Sequence, residues 1–202
     1  KVLKPGAPSA EAVASGSQPA FLRLQLPKTN IYLGEIIAGE FQLHVREGVG
    51  AGQFQFTGTP TEGFTIGQMA ELPHRRVQIG NSVYTVIPIA VVLTPNKTGP
   101  LNIGPVTANV VVELPNPNNR RRESFMDPFG MFNNNERRQV QLVAEEQTVR
   151  CLPVPTEARP ADFTGAVGNY TMTVSIGPTN VATGDPITVR VQISGRGALD
   201  GL

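Results

Sequence analysis

The sequence has no tryptophan, one cysteine and two histidines among its 202 residues. The single cysteine, Cys151, excludes a disulfide within the chain, and its apolar surroundings in TVRCLPVP indicate a small buried side chain. A cysteine nucleophile needs a base beside it, but neither His44 nor His74 has a recognisable partner. Zinc needs three or four converging ligands, which two scattered histidines do not supply. We therefore predict no enzymatic activity and assign no catalytic, cofactor-binding or metal-binding residue.

An excess of one charge and a long apolar run are also absent. The 17 basic and 16 acidic residues give a net charge of +1, whereas binding to nucleic acid requires a basic excess on one face. No stretch approaches the roughly 18 apolar residues of a membrane span. The sequence therefore predicts neither a nucleic-acid partner nor a membrane span of its own.

One glycine-rich segment, GVGAG at residues 48–52, resembles a phosphate-binding loop only in composition. A loop that binds phosphate needs the N-terminus of a helix after it. This segment follows one predicted strand and precedes another, so we interpret it as a hairpin turn.

Alternation of apolar and polar residues is the dominant pattern of the sequence. Its clearest instance is VTANVVVEL, in which alternate side chains are predicted to face a core: Val106, Ala108, Val110, Val112 and Leu114. In EFQLHV, the same period places Phe41, Leu43 and Val45 on one face, with His44 pointing away. This pattern is typical of half-buried antiparallel strands.

Glycine and proline mark the boundaries of nearly every predicted strand. RVQIGNSVYTV predicts a hairpin that turns near Gly80 and Asn81, and the alternation in ERRQVQLVAEEQ favours a strand. About seven short strands over residues 21–152 are typical of an immunoglobulin-like sandwich. We therefore predict an all-β, immunoglobulin-like β-sandwich there.

The sequence repeats itself after 150 residues. Residues 22–43 (the first repeat unit) and 172–193 (the second repeat unit) share the order strand, turn, Asn-apolar-x-x-Gly-acidic, strand. Thr29, Asn30 and Gly34 fall on Thr179, Asn180 and Gly184. Apolar residues of the first unit that fall on apolar residues of the second are Leu22, Leu24, Leu26, Ile31, Ile37, Phe41 and Leu43. We therefore predict at least two copies of one domain type.

The repeat predicts a division of the chain into four parts. Residues 1–20 form a linker or the end of an upstream domain, and residues 21–152 form one complete sandwich. Residues 153–162 form a proline-rich linker, and residues 163–202 form the N-terminal part of a second, truncated domain. Its two strands, residues 170–176 and 187–193, lack sheet partners in this sequence and are predicted to dimerise, swap or be mobile.

The segments around the second repeat unit resemble the BatD oxygen-tolerance family of bacteria. FTGAVGNYTMTVSI, preceded by LPVPTEARPAD, is similar to that family's interdomain junction. VATGDPITVRVQISGRGALDGL also resembles the family, although Ala198 stands where the family tends to have Asn. YLGEIIAGEFQL and NSVYTVIPIAVVLTPNKTGPLNIGP resemble its preceding domain, and the resemblance covers nearly everything from Phe21 onward.

The resemblance implies a cell-envelope protein with tandem immunoglobulin-like domains in the periplasm and an inner-membrane anchor outside this sequence. It implies a non-enzymatic scaffold or adaptor with protein partners such as von Willebrand A-domain proteins. The alternative is a cell-surface adhesin or a carbohydrate-binding domain on the same fold. Sugar-binding platforms usually expose Trp or Tyr, and this chain has no Trp and three Tyr.

A long connection, residues 115–136, joins two predicted strands and far exceeds the usual 2–5 residues of a hairpin loop. Its sequence RRRESFMDPFGMFNNNERR combines Phe, Met and Arg, which are enriched in interfaces. The predicted partner-binding residues are Arg121, Phe125, Met126, Phe129, Met131 and Phe132. The alternative is a solvated loop whose aromatic side chains pack on its own sandwich.

Overall fold

The computed structural model of the protein describes residues 18–59, 62–115 and 136–197, and these residues contain strands, turns and irregular segments but no helix. The thirteen strands in these ranges are β1 (Ala20–Gln25), β2 (Asn30–Tyr32), β3 (Ile37–Arg46), β4 (Gly50–Gly58), β5 (Phe64–Glu71), β6 (Arg75–Ile79), β7 (Ser82–Pro95), β8 (Gly99–Ile103), β9 (Val106–Leu114), β10 (Glu136–Ala144), β11 (Gln147–Leu152), β12 (Gly168–Gly177) and β13 (Thr188–Gly197). The predicted all-β, immunoglobulin-like sandwich is therefore confirmed, with eleven strands from β1 to β11 where about seven were predicted.

Two layers of sheet form the sandwich. In the first layer the strand order is β1-β3-β7-β5, and β6 pairs with the remaining length of β7. The second layer consists of two three-stranded sheets, β10-β9-β4 and β2-β11-β8. Strands β1 and β2 are neighbours in sequence but belong to different layers, because β2 pairs in parallel with β11. The chain thus joins the two layers near the start of the sandwich.

One hydrophobic core fills the space between the layers. It contains buried residues from Ala20 to Cys151 and no residue of β12 or β13. Phe41 of the first layer contacts Phe56 of the second, with ring centroids 5.0 Å apart. As predicted, Cys151 is a buried part of this core.

Strand β9 follows the alternation predicted for it. Val106, Ala108, Val110 and Val112 are fully buried, and Leu114 is half-buried against the core. β9 lies between β10 and β4, so both of its edges carry backbone hydrogen bonds. This central position explains its regular inward and outward pattern.

As predicted, His44 lies on the opposite face of β3 from Phe41. That face is covered as well, and the His44 side chain is only 4% exposed. Phe21 lies opposite it on β1 and stacks on its ring, with centroids 4.3 Å apart. Tyr84 of β7 packs edge-on against Phe21 at 5.3 Å. These two aromatic residues cover the outer face with a second, smaller apolar cluster.

The interpretation of residues 48–52 as a hairpin turn is wrong. The turn exists, with Gly48 at a φ of 84°, but the strands on either side do not pair with each other. β3 pairs with β1 and β7, whereas β4 pairs with β9 in the other layer. The segment therefore carries the chain from one layer to the other, and Gly50 to Gly52 already belong to β4.

The other two predictions for local structure are confirmed. β6 and β7 form a hairpin in which Ile79 pairs with Ser82 across Gly80 and Asn81. The segment ERRQVQLVAEEQ contains strand β10, which pairs antiparallel with β9 along its whole length. Residues 153–167, which follow β11, contain no strand.

Candidate interaction surface on the second repeat unit

The two repeat units have the same strand register. In the first, Leu22 pairs with Leu43 and Leu24 pairs with Phe41. In the second, at an offset of 150 residues, Met172 pairs with Ile193 and Val174 pairs with Val191. The predicted repeat of strand, turn and strand is thereby confirmed at the level of individual residue pairs.

The turns of the two units also share their hydrogen bonds. In the first unit, the Tyr32 N–H donates to the Glu35 carboxylate at 3.0 Å, and the Glu35 N–H donates to the Tyr32 carbonyl at 3.0 Å. In the second, the Ala182 N–H donates to Asp185 Oδ2 at 2.9 Å, and the Asp185 N–H donates to the Ala182 carbonyl at 3.0 Å. The acidic residue of the motif thus closes the same local turn in both units.

Glu35 has a further partner, Lys28, whose ammonium group donates to the carboxylate. Partial burial raises the pKa of Glu35, but the hydrogen bond from Lys28, the hydrogen bond from the Tyr32 N–H and the charge of Lys28 together lower it below its ordinary value. The carboxylate therefore stays ionised at neutral pH. Its role is to hold the turn and not to transfer protons.

The two units differ in the burial of their apolar side chains. Leu22 is 2% exposed and its counterpart Met172 is 66% exposed, while Phe41 is 1% exposed and its counterpart Val191 is 55% exposed. In the first unit these side chains lie under the second layer of the sandwich. In the second unit they face solvent within the part of the chain that the structure describes. An apolar surface of this kind is stabilised when other strands cover it, as the second layer does in the first unit.

The apolar face of the second unit consists of three cross-strand pairs. Because directly paired residues share a face of the sheet, these six side chains form one continuous surface: Met172, Val174, Ile176, Val189, Val191 and Ile193. Val181 and Ile187 are exposed as well. We call the six paired side chains the apolar face.

The opposite face of the second unit differs from the first in charge. Glu40 of β3 accepts a hydrogen bond from Arg75 Nη2 at 2.5 Å. At an offset of 150 residues, β13 carries Arg190 in place of Glu40. Arg190 is exposed and has no ion-pair partner among the residues that the structure describes. The charge at this position of the repeat is therefore inverted.

Close backbone packing shapes the end of the second unit where β12 begins. A Cβ atom on Gly168 would lie 2.8 Å from the Gly197 Cα atom, so only glycine fits there. Of the two glycines in FTGAVG, Gly168 therefore makes a close backbone approach. At Gly165 a Cβ atom meets nothing within 4 Å, and its φ of 106° is the reason for glycine.

A cleft of about 680 Å³ lies where the second unit meets the sandwich. Its lining includes Lys28, Glu35 and Ile37 from the sandwich, and Asn169 and Arg196 from β12 and β13. The lining is mainly apolar, with charged groups of both signs at its border. The cleft adjoins the start of β12 and so continues toward the exposed hairpin.

The predicted partner-binding residues lie outside the described residues: Arg121, Phe125, Met126, Phe129, Met131 and Phe132. The structure shows where their segment begins and ends, because Leu114 and Glu136 pair with each other at the ends of β9 and β10. At this end of the sheet, Arg137 Nε donates to Glu113 Oε1 at 2.7 Å. The predicted position of the long connection, between two neighbouring strands, is therefore confirmed.

Titratable groups elsewhere are dispersed. Burial, together with the charge of Glu35, raises the pKa of the Cys151 thiol, which therefore stays protonated at neutral pH. His74 is exposed and contacts Glu71 Oε1 at 2.7 Å, far along the chain from the buried His44. Among residues 18–59, 62–115 and 136–197, no three His, Cys, Asp or Glu side chains lie close enough to hold a metal ion.

In the same three ranges, no helix has the length and apolar character needed to cross a membrane.

No known protein-family model matches the sequence, and no curated protein matches it.

Sequence reasoning identified the strands of the second unit but not the charge inversion. The alternation and the repeat were sufficient to predict exposed strands at 170–176 and 187–193. The meaning of Arg190 depends on the contact between Glu40 and Arg75, which are 35 residues apart. The sequence did contain a signal for the inversion, because the 150-residue offset aligns Arg190 with Glu40.

Proposed function

We propose that this chain is part of a non-enzymatic scaffold that holds other proteins together in a bacterial cell envelope. The resemblance to the BatD family supports this proposal and implies a periplasmic location, with an inner-membrane anchor outside this sequence. The partners we propose are proteins of the envelope, with von Willebrand A-domain proteins as the first candidates. The role requires no cofactor.

The observation that carries the proposal is the difference in burial between two hairpins with the same register. The first unit has its apolar side chains in a core, whereas the apolar face of the second is open in the described residues. The free energy falls when further strands of the same domain, or a partner protein, cover an apolar surface of this kind. Its side chains are aliphatic or thioether groups, which bind by burial and offer no acid, base or nucleophile.

A competing function is adhesion or carbohydrate binding. A sugar-binding platform would need aromatic side chains that stack on sugar rings. The apolar face contains none, and Tyr32, at 39% exposure, lies on β2 in the sandwich. The composition of the face therefore favours a protein partner.

Affinity capture from a solubilised bacterial envelope extract tests the proposal. The immobilised chain is compared with a double variant, Val174→Lys with Val191→Lys, which places two charges on the apolar face. The matched control is Thr173→Lys with Gln192→Lys, a cross-strand pair on the opposite face of the same hairpin. Mass spectrometry identifies the retained proteins, and the same three chains are applied to a glycan array.

We expect A-domain proteins to be retained by the unmodified chain and by the control, but not by the apolar-face variant. Equal retention by all three chains would mean that the apolar face is not the binding surface. Retention on glycans, without retention of envelope proteins, would overturn the scaffold proposal in favour of the adhesin.

A further inference from the structure

We propose that residues 18–21 form an acid-released strap, which lies on the outer face of the sandwich at neutral pH and detaches from it when His44 takes up a proton. Detachment uncovers Tyr84 and the edge of β3 where β1 begins. The device needs neither an envelope location nor a partner protein, so it is independent of the proposed function.

The strap is held by groups of two neighbouring strands. The Tyr84 hydroxyl of β7 donates to the Gln18 carbonyl at 2.8 Å, and the Arg46 N–H of β3 donates to the Pro19 carbonyl at 2.9 Å. The Phe21 ring lies flat on the His44 ring, with an interplanar angle of 11°. Among the described strands β1 pairs with β3 alone, so the start of β1 has hydrogen-bonded support on one edge only.

Most of the strap's apolar contacts lie outside the main core. Phe21 and Tyr84 form the smaller cluster, with two half-buried side chains of β6 packed against it. Ala20 belongs to the main core but has only a methyl group to withdraw, and Leu22, which follows the strap, stays in that core. Detachment therefore disrupts the smaller cluster and leaves the packing between the layers in place, as a local opening requires.

The surroundings of His44 oppose a positive charge. The titratable and charged groups of this face come from four strands: Arg23 of β1, Glu40 and Arg46 of β3, Arg75 of β6 and Tyr84 of β7. The carboxylate among them, Glu40, already accepts a hydrogen bond from Arg75 Nη2 at 2.5 Å. A buried imidazolium would therefore add a positive charge beside three guanidinium groups, and exposure to water relieves that cost.

Linkage to the proton sets the direction and size of the response. In the detached strap the imidazole is in water, with its ordinary pKa near 6.5, whereas burial and then the nearby arginines hold the pKa of the attached form at about 4. Protons therefore favour detachment as the pH falls below 6.5. The equilibrium constant for detachment should rise about twentyfold between pH 7 and pH 5.

The second repeat unit lacks the corresponding groups. Phe21 pairs with His44 across β1 and β3, whereas 150 residues later Thr171 pairs with Ser194 across β12 and β13. Neither hydroxyl titrates between pH 7 and pH 5. The repeated strand pairing thus does not require a ring stacked on an imidazole, and this contact is specific to the first unit.

Native-state hydrogen exchange of the full chain, resolved by residue, tests the proposal at pH 7 and pH 5 and in low urea. Protection factors remove the direct effect of pH on the intrinsic exchange rate. Where Phe21 pairs with His44, we expect exchange through an opening that low urea does not accelerate, because it exposes little surface. The protection factors there should fall about twentyfold between pH 7 and pH 5. Phe41 and Leu43, at the centre of β3, should be better protected and should exchange through an opening that urea accelerates.

Three variants separate the contacts of the strap. His44→Phe keeps a ring against Phe21 but takes up no proton, so the twentyfold change should disappear. Tyr84→Phe keeps its ring and removes only the hydrogen bond to the Gln18 carbonyl. It should increase the opening at pH 7 about fivefold and retain the response to pH. His74→Gln is the matched control and should retain the response, because it still contains His44.

Three results would overturn the inference: equal protection of the start of β1 and the centre of β3, protection at the start of β1 that does not change with pH, or an unchanged response in His44→Phe. If His44→Phe does not fold, Tyr84→Phe decides. An opening at pH 7 that matches the unmodified chain would then show that Tyr84 does not hold the strap, and the inference would be wrong.

Discussion

At the residue scale, burial of His44 on the outer face of the sandwich makes the free energy of unfolding depend on pH. It stacks on the ring of Phe21 and meets the ring of Tyr84 edge-on at a centroid distance of 6.4 Å, and its Nδ1–H donates to the Gln42 carbonyl at 3.2 Å. Burial lowers the pKa of His44 to about 4, and the charges of Arg23 and Arg75 act in the same direction. The imidazole is therefore neutral in the folded protein at neutral pH.

The buried neutral His44 predicts a loss of stability in mild acid. The unfolded chain binds the proton with a pKa near 6.5, so the stabilisation is complete above that pH and is lost as the pH falls toward 4. The loss should be on the order of 2 kcal/mol in the free energy of unfolding. Urea unfolding at several pH values measures it. In a His44→Phe variant, which keeps a ring against Phe21, the unfolding free energy should vary much less between pH 6.5 and 4.

The exposed His74 provides the control for this prediction. A His74→Gln variant still contains the buried His44 and should therefore still lose stability as the pH falls toward 4. If His44→Phe and the unmodified chain lose stability in parallel between pH 6.5 and 4, His44 does not cause the effect.

Val110 tests the inward face of β9. It is fully buried at the centre of the sheet β10-β9-β4, between Val140 and Phe54. Val110→Asp would bury an unpaired carboxylate and should lower the free energy of unfolding by about 4 kcal/mol or more. The matched control is Asn109→Asp, whose side chain lies on the outer face of the same strand. Thermal unfolding followed by circular dichroism should show a large loss for Val110→Asp alone, and comparable stability of the two variants would contradict the assigned facing.

At the residue scale, the alternation in the sequence predicts one buried face of a strand but not whether the other face is covered. It placed Val106 to Val112 correctly, because one side of β9 is the core. It also placed His44 correctly on the opposite face of β3, but it did not show that Phe21 and Tyr84 cover that face from other strands. Burial of a polar residue by such contacts leaves no periodic signal.

At the element scale, local turn chemistry predicts where the chain turns but not which strand it joins next. The glycines at 48–52 correctly indicate a turn. The same glycines are compatible with a hairpin and with a connection between the two layers, and the structure contains the connection. The repeat units are the opposite case. Their shared acidic turn residue, Glu35 or Asp185, makes the same reciprocal contacts in both units. A sequence match at a fixed offset therefore predicted the register of β12 and β13.

The apolar face predicts self-association at high concentration when no other partner is present. Burying these side chains against a second copy removes them from water, and a two-stranded sheet is marginal by itself. Such a dimer would pack face on face and leave the β13 edge free. Sedimentation velocity should show a larger species as the concentration rises. The double variant Val174→Lys with Val191→Lys should remain monomeric.

The control for self-association is again the opposite face of the hairpin. Thr173→Lys with Gln192→Lys adds the same charge and should still associate. If the unmodified chain stays monomeric at every concentration, or if both double variants behave alike, the apolar face does not drive association.

On the scale of the whole molecule, the end of β9 and the attachment of the second repeat unit lie at opposite ends of the sandwich. β9 ends next to Glu113, which pairs with Gly50. The second repeat unit joins at the other end, where an ideal Cβ atom added to Gly34 would lie 4.0 Å from the Gly165 carbonyl oxygen. The two connections therefore leave the sandwich at different ends.

The long connection yields a prediction from its sequence alone. Replacing Phe125, Phe129 and Phe132 with Ser should leave the thermal stability nearly unchanged and reduce capture of envelope partners, because aromatic side chains dominate binding energy when they fill a partner's pocket. Differential scanning calorimetry and the capture assay measure the two effects. If these aromatic side chains pack on their own sandwich, the stability falls by a few kcal/mol instead.

Composition and alternation were sufficient to predict the fold class. They predicted only part of the interaction surface. Alternation with frequent glycine and proline is a property of every strand, so many residues report the same fold. A binding surface depends on which side chains remain exposed to solvent. That exposure depends on packing between strands that are distant in the sequence. The loop residues Arg121 to Phe132 lie outside the described residues, so their role stays a prediction. The boundaries drawn at residues 20, 152 and 162 stay predictions too.

Residue-resolved amide hydrogen exchange of β3 and β13 tests the central claim most directly, that the second repeat unit is an open counterpart of the first. In dilute, monomeric protein we expect protection along all of β3, since β1 and β7 pair with its two edges. We expect protection in β13 at no more than every second amide, those that face β12. Continuous protection of Thr188–Gly197 in the monomer would contradict the account, because the edge of β13 would already be paired.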